Sequence, residues 1–175
     1  HNNILWVGEF YREGNYETDE SHHLQTRGDE INMAVAFGYE LNANNAYGLE
    51  DTIPDKALSI TSLVQGMAIT NNGEIILSTS YSLPASTIYS YSNVLTEEKH
   101  GTIEVNGENV DLWFLDSKSL INEVSAPAMT EEIVIANGKL YILNESACKK
   151  YKLFTRDNVD QVYSLTLNYV LGIEE

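Results

Sequence analysis

At 175 residues the chain is long enough to bury a core, and 43% hydrophobic residues with only three prolines exclude a disordered or low-complexity segment. Its 26 acidic and 10 basic side chains give a formal net charge of −16. The densest basic spot is Lys149-Lys150 with Lys152, too small to hold phosphates, so nucleic acid and anionic membranes are excluded as partners.

The carboxylate excess suits a hydrated surface, or a hard cation such as Ca²⁺, which takes oxygen ligands. A single cysteine, Cys148, makes an internal disulfide impossible, and within its apolar and aromatic run it is expected to be a small buried hydrophobe. The histidines His1, His22, His23 and His100 have no second cysteine to join them, so no zinc site is expected. No apolar run approaches the roughly 18 residues of a membrane span. No signal-peptide pattern opens the chain, yet it does not begin with Met, which reads as processing or truncation. The glycosylation pattern Asn144-Glu145-Ser146 falls in a predicted strand and is discounted.

Along the chain the pattern is β-rich and repeated. The first copy, Asn2-Asn3-Ile4-Leu5-Trp6-Val7-Gly8-Glu9-Phe10, opens on residues that tolerate the positive φ of a tight turn. A long loop with Tyr16-Glu17-Thr18-Asp19-Glu20-Ser21-His22-His23 follows, then a strand over 33–41. The second copy is a strand over 64–70, an Asn72-Gly73 turn, a strand to Ser80, and a third strand over 86–91. A hairpin of 101–105, Asn106-Gly107 and 110–115 is expected to decorate this second unit. Residues 117–124, with Ser117 as N-cap and Pro127 beyond, read as a short helix. The third copy enters at Glu131-Glu132, turns at Asn137-Gly138, runs to Glu145, and continues with strands over 148–153 and 162–167.

Strand, Asn-Gly turn, strand, loop, strand is the up-and-down meander of a propeller blade. The expectation is an all-β fold, a β-propeller truncated at its N-terminus, with units 1–62, 63–126 and 127–175 forming about three blades of a six-bladed ring. The first copy lacks a strand ahead of its turn, and about three blades cannot close a ring. A missing propeller half, from the same or a second chain, is therefore the expected partner. An open β-sandwich carrying similar hairpins is the alternative architecture.

The phrases Leu5-Trp6-Val7-Gly8-Glu9-Phe10-Tyr11, Val64-Gln65-Gly66-Met67 and Leu140-Tyr141-Ile142-Leu143-Asn144-Glu145-Ser146-Ala147 resemble the C-terminal half of uncharacterised bacterial secreted or surface proteins. Those proteins are six-bladed β-propellers similar in architecture to strictosidine-synthase-like and gluconolactonase-like propellers. The resemblance implies an extracellular or cell-surface location. It also implies a metal-binding Glu near the start of an inner strand, a placement that Glu131 or Glu132 matches and Gln65 does not.

Three constellations carry candidate chemistry. Gln65 and Glu131-Glu132 hold equivalent places at strand starts, the glutamates as candidate ligands for a divalent cation such as Ca²⁺ that would polarise a carbonyl or activate water. Glu9, Ser80 with neighbouring Tyr81, and Glu145 follow equivalent apolar runs; converging carboxylates could do acid–base work, hydroxyls could bind. His22 and His23, among acids on a long loop, are the first choice of general base. The blander reading of each group is solvated or ladder-end polar residues pairing with backbone. No nucleophile elbow or phosphate-loop pattern appears. Eleven tyrosines and two tryptophans could stack on sugars, although Trp6, Tyr89 and Tyr141 fit packing between blades better. No complete catalytic set assembles, so the expected function is a binding or scaffold module for a small molecule, sugar or protein. A metal-assisted hydrolase or lyase of lactonase type is the alternative.

Overall fold

The computed structural model describes residues 3–174; the part of the first repeat at His1 and Asn2 lies outside the described residues. In chain order the strands are β1 (Ile4–Gly8), β2 (Leu24–Gln25), β3 (Ile31–Asn32), β4 (Ala34–Glu40), β5 (Lys56–Ile60), β6 (Val64–Ile69) and β7 (Ile75–Thr79). They continue as β8 (Ser86–Tyr91), β9 (Gly101–Val105), β10 (Glu108–Phe114), β11 (Leu120–Ala126), β12 (Thr130–Ala136), β13 (Lys139–Asn144) and β14 (Tyr163–Thr166). A single helical turn, α1 (Leu167–Val170), follows, with Thr166 as its N-cap. The fold is all-β, and none of its sheets closes into a barrel among the described residues. It divides into two compact units, one running to Ser62 and resuming over 93–119, the other over 63–92 and from Leu120 onward.

The first unit is built on a five-stranded sheet in the order β1-β4-β5-β10-β9. β1 runs antiparallel to β4 with Trp6 opposite Gly38, where a side chain would strike Ile4 and the Trp6 ring at 3.0 Å. The β9–β10 hairpin turns on Asn106 and Gly107, both at positive φ, as the Asn-Gly signal requires. It does not decorate the second unit: β10 joins β5 in a parallel pair, Asp111–Phe114 alongside Lys56–Ser59. A turn motif reports the hairpin but not its partner, because pairing with a strand 55 residues earlier leaves no local pattern. Val35, Ala57, Ile103, Val110 and Leu112 form the buried core of this sheet.

The second unit holds a four-stranded antiparallel meander, β6-β7-β8-β11, and a three-stranded one, β12-β13-β14. Ile76, Ile88 and Val124 of the first meander and Ile133, Leu140 and Ile142 of the second share one core with Val170. β6 and β12 approach closely. A Cβ at Gly66 would lie 2.9 Å from the Glu131 carbonyl oxygen and 2.9 Å from the Ile133 nitrogen.

Three local expectations are corrected here. Residues 117–124 do not form a helix. Asp116 Oδ1 accepts from the Lys118 and Ser119 backbone N–H groups, making a turn that delivers Leu120 into β11. Residues 148–153 form no third strand: Cys148 N–H bonds back to Glu145, and those of Tyr151 and Lys152 to Cys148, giving successive turns. The strand paired with β13 is β14 instead. Cys148 is exposed on those turns rather than buried.

The two meanders of the second unit repeat a device at their openings. Leu63 (φ 64°) and Met129 (φ 61°), just ahead of β6 and β12, are both left-handed. The Leu63 carbonyl accepts from Ser80 N–H and that of Met129 from Glu145 N–H, each at 3.0 Å. One residue into each strand the register slips by a β-bulge, between Val64 and Gly66 in β6 and between Thr130 and Ile133 in β12. Bulges re-aim side chains, and positive φ on Leu or Met stores strain.

Candidate functional site

The bulges place Gln65 in one meander and Glu131 in the other at the same step of the repeat, with Ser80 and Glu145 opposite them. In the first copy the polarities match, and the Gln65 amide donates to the Ser80 carbonyl at the long limit of 3.5 Å. In the second copy the carboxyl of Glu131 makes no such bond and feels the charge of Glu145. Burial first, and Glu145 second, push the Glu131 carboxyl up to about 7. Its side chain has no hydrogen-bond partner among the described residues, although its own carbonyl accepts from Ser78 Oγ at 2.6 Å. Glu132 turns away, its Oε1 accepting from the Ile133 N–H at 2.9 Å. Glu131 thus feels the charge of Glu145, while the Glu132 carboxylate is engaged by the Ile133 N–H. Among the described residues no group of three or more His, Cys, Asp or Glu is arranged to hold a metal ion.

Surrounding groups give the place its shape. Ser80 is buried and Tyr81 is 38% exposed beside it. On the turns after Glu145, Lys150 lies over the Tyr151 ring at 4.7 Å and feels the Glu145 charge. Asn144, at the end of β13, donates through Nδ2 to Thr130 Oγ1 at 3.0 Å, and its Oδ1 is buried without a partner. The sequon residue is thus held inside the β12–β13 end.

The other candidates lie in the first unit. Asp19 caps the short 3-10 turn Glu20–His22, accepting from Ser21 N–H, and this turn sets the ring of His22 beside Glu9. His22 Nδ1 meets Glu9 Oε1 at 2.9 Å, while Glu9 Oε2 accepts from the Val35 N–H at 2.9 Å. Phe37 packs edge-on to the His22 ring, 5.7 Å between centroids. A carboxylate at Nδ1 orients the imidazole, as the positioning of a general base requires. His23 is tied down differently: its Nε2 lies 3.1 Å from Thr18 Oγ1 and its ring packs edge-on to Tyr11. Glu9 and His22 form one cluster, and Glu131 and Glu145 form another in the other unit.

A third cluster escaped sequence reasoning. Arg27 grips Asp116 through Nε and Nη2, both at 2.9 Å, and its Nη1 reaches Glu97 Oε2 at 3.1 Å. Burial would raise the Asp116 carboxyl, but the hydrogen bonds and charge of Arg27 hold it below its ordinary value. His100 completes the set. Its Nδ1 accepts from the Phe114 N–H at 2.9 Å, and its Nε2 lies 2.8 Å from Arg27 Nη1 and 3.1 Å from Glu97 Oε2. These residues come from distant stretches of chain with no motif to connect them. The two-point grip of Arg27 on the buried Asp116 marks a structural clamp.

The chain matches no family model, no curated protein and no solved structure. The functional reading therefore stands on the geometry alone.

Proposed function

We propose that the chain is part of a β-propeller and serves as an extracellular or surface-associated binding module, with its ligand held at the bulged openings of β6 and β12. The observation that carries this reading is Glu131: a half-buried carboxyl without a hydrogen-bond partner among the described residues, at the step where the sister copy satisfies Gln65 internally. An acceptor partly withdrawn from water and left without a donor carries a fraction of the about 1–3 kcal/mol that a fully buried one costs, and a ligand bringing donors removes that cost. The fitting chemistry is a small molecule rich in hydroxyl or ammonium donors, such as a sugar, with Tyr81 offering an aromatic face at the rim. The repeated meander supports the propeller reading, since one four-stranded and one three-stranded antiparallel unit follow each other in the chain and blades are antiparallel four-stranded units. A missing half of the ring belongs to the same proposal.

Amide shifts of the labelled chain, titrated with monosaccharides, alkylamines and Ca²⁺ in turn, test the binding reading. Saturable shifts at Gln65, Ser80, Glu131 and Glu145 that vanish in Glu131→Ala are expected. Shifts confined to other residues, or unchanged in Glu131→Ala, would overturn it.

The Glu9–His22 pair favours a second reading, a hydrolase or lyase with His22 as general base. Release of the product of a lactone or ester probe by the chain, lost in His22→Ala, would move the assignment to that reading.

A further inference from the structure

We infer that the outer edge of β1 is a docking site for one antiparallel β-strand of the same repeat, with the sequence character of β6 and β12. The inference rests on the repeated-unit part of the proposed function and is independent of what binds at Glu131.

β1 is the repeat counterpart of β7 and β13. β7 lies between β6 and β8, and β13 between β12 and β14. β1 pairs with β4 on one side, and no described strand pairs with the other. The difference shows in burial. Leu5 and Val7 are 45% and 51% exposed, whereas their counterparts Ile75 and Leu77 in β7 are both 0% exposed. The backbone tells the same story. Asn3 accepts from Leu41 N–H and Glu9 N–H donates to Val35, so Asn3, Leu5, Val7 and Glu9 are the positions bonded to β4. Antiparallel alternation then turns the N–H and C=O groups of Ile4, Trp6 and Gly8 to the open side. Free edges are normally blunted by charge, proline or a covering element, and Ile4-Leu5-Trp6-Val7-Gly8 carries no charge or proline.

The repeat says what fits there. In β6–β7, Ile69, Ala68 and Met67 stand opposite Ile75, Ile76 and Leu77. In β12–β13, Ile135, Val134 and Ile133 stand opposite Leu140, Tyr141 and Ile142. The strand that completes β1 therefore sets three apolar residues against Leu5, Trp6 and Val7, running antiparallel. Charge bears on the occupant as well: a second copy of this chain brings a net charge of −16 to the edge, whereas the paired stretches 67–69 of β6 and 133–135 of β12 carry no charged side chain, the two glutamates of β12 lying at its bulged start.

The experiment joins residues 129–137 ahead of the full chain as an extension, beside a control extension of the same residues in scrambled order. Tethering holds the strand at millimolar effective concentration. Amide hydrogen exchange at Ile4, Trp6 and Gly8 is expected to slow by at least about tenfold with the native extension and not with the control. Equal exchange in both would overturn the inference. So would finding these amides already protected in the unextended chain at twice its 19.6 kDa mass, since a second copy would then hold the edge. Sugar or amine titration of the same samples reports the Glu131 reading separately, so either can fail alone.

Discussion

Leu63 and Met129 perform one task in two copies of a motif: each adopts a left-handed backbone and gives its carbonyl to the first residue past the returning strand, Ser80 or Glu145, at 3.0 Å. Neither side chain suits that conformation, in which Cβ crowds the following carbonyl at about 1–2 kcal/mol. The strain persists because the turn sets up the bulges that aim Gln65 and Glu131.

This gives an unusual substitution order. At Leu63, glycine removes the crowding while alanine keeps it, although both lose the same leucine packing. Chemical denaturation is expected to find Leu63→Gly more stable than Leu63→Ala by about 1 kcal/mol, the reverse of the order in ordinary strands. Equal stability, or alanine ahead, would mean that the left-handed turn is not strained.

Gly66 is constrained by space. A Cβ there would sit 2.9 Å from the Glu131 carbonyl oxygen, the Ile133 nitrogen and Ser78 Oγ, and two of these three are backbone atoms that cannot swing away. Gly66→Ala is expected to cost about 2–3 kcal/mol by forcing β6 and β12 apart. Amide exchange in β12 would rise with it, whereas an alanine that displaced only the Ser78 hydroxyl would leave β12 protected.

The sequence was most legible where local chemistry dictates conformation. Asn106-Gly107 and Asn137-Gly138 turn as expected because both positions of such a turn need positive φ. The correspondence of Gln65 with Glu131 was visible too, since repeat copies carry their strand starts with them. Residues 117–124 were misread because the side chain of Asp116 opens a turn there that leads into β11. Beyond it the inward positions Val124 and Ala126 alternate with exposed Glu123 and Ser125, a strand period. What could not be read was long-range: that β10 would pair with β5, that Arg27 would find Asp116, or that Glu131 would feel the charge of Glu145 rather than work with Glu132.

The Arg27–Asp116 clamp holds a carboxylate whose residue is only 4% exposed. Arg27→Ala strands that charge in the interior and is expected to cost about 3 kcal/mol. The pH course follows from the depressed carboxyl. Its contribution is complete above the ordinary Asp range near 3.8 and is lost as pH falls below that value. Denaturation measured across pH 2–6 should therefore steepen below about 4 in the natural chain and flatten in Arg27→Ala. A parallel course in both would show that the clamp does not control acid stability.

Glu131 has the opposite sign. Its carboxyl is raised in the folded chain, to about 7 from an ordinary 4.5, so between these values the folded state binds more protons than the unfolded one. Stability conferred by the protonated form is complete below about 4.5 and is lost as pH climbs to about 7. Because solvent reaches one side of the site, the loss is expected to be about 1 kcal/mol rather than the full value of the shift. Glu131→Gln imitates the protonated carboxyl and restores at this step the amide that the sister copy carries as Gln65. It should be more stable than the natural chain at pH 8, equal to it at pH 4, and free of the decline between. Glu145→Gln should give a smaller effect in the same direction, since Glu145 is the second of the two causes. Should Glu131→Gln instead be destabilised at pH 8, the carboxylate would have a stabilising donor there, and the unsatisfied acceptor on which the ligand proposal depends would not exist.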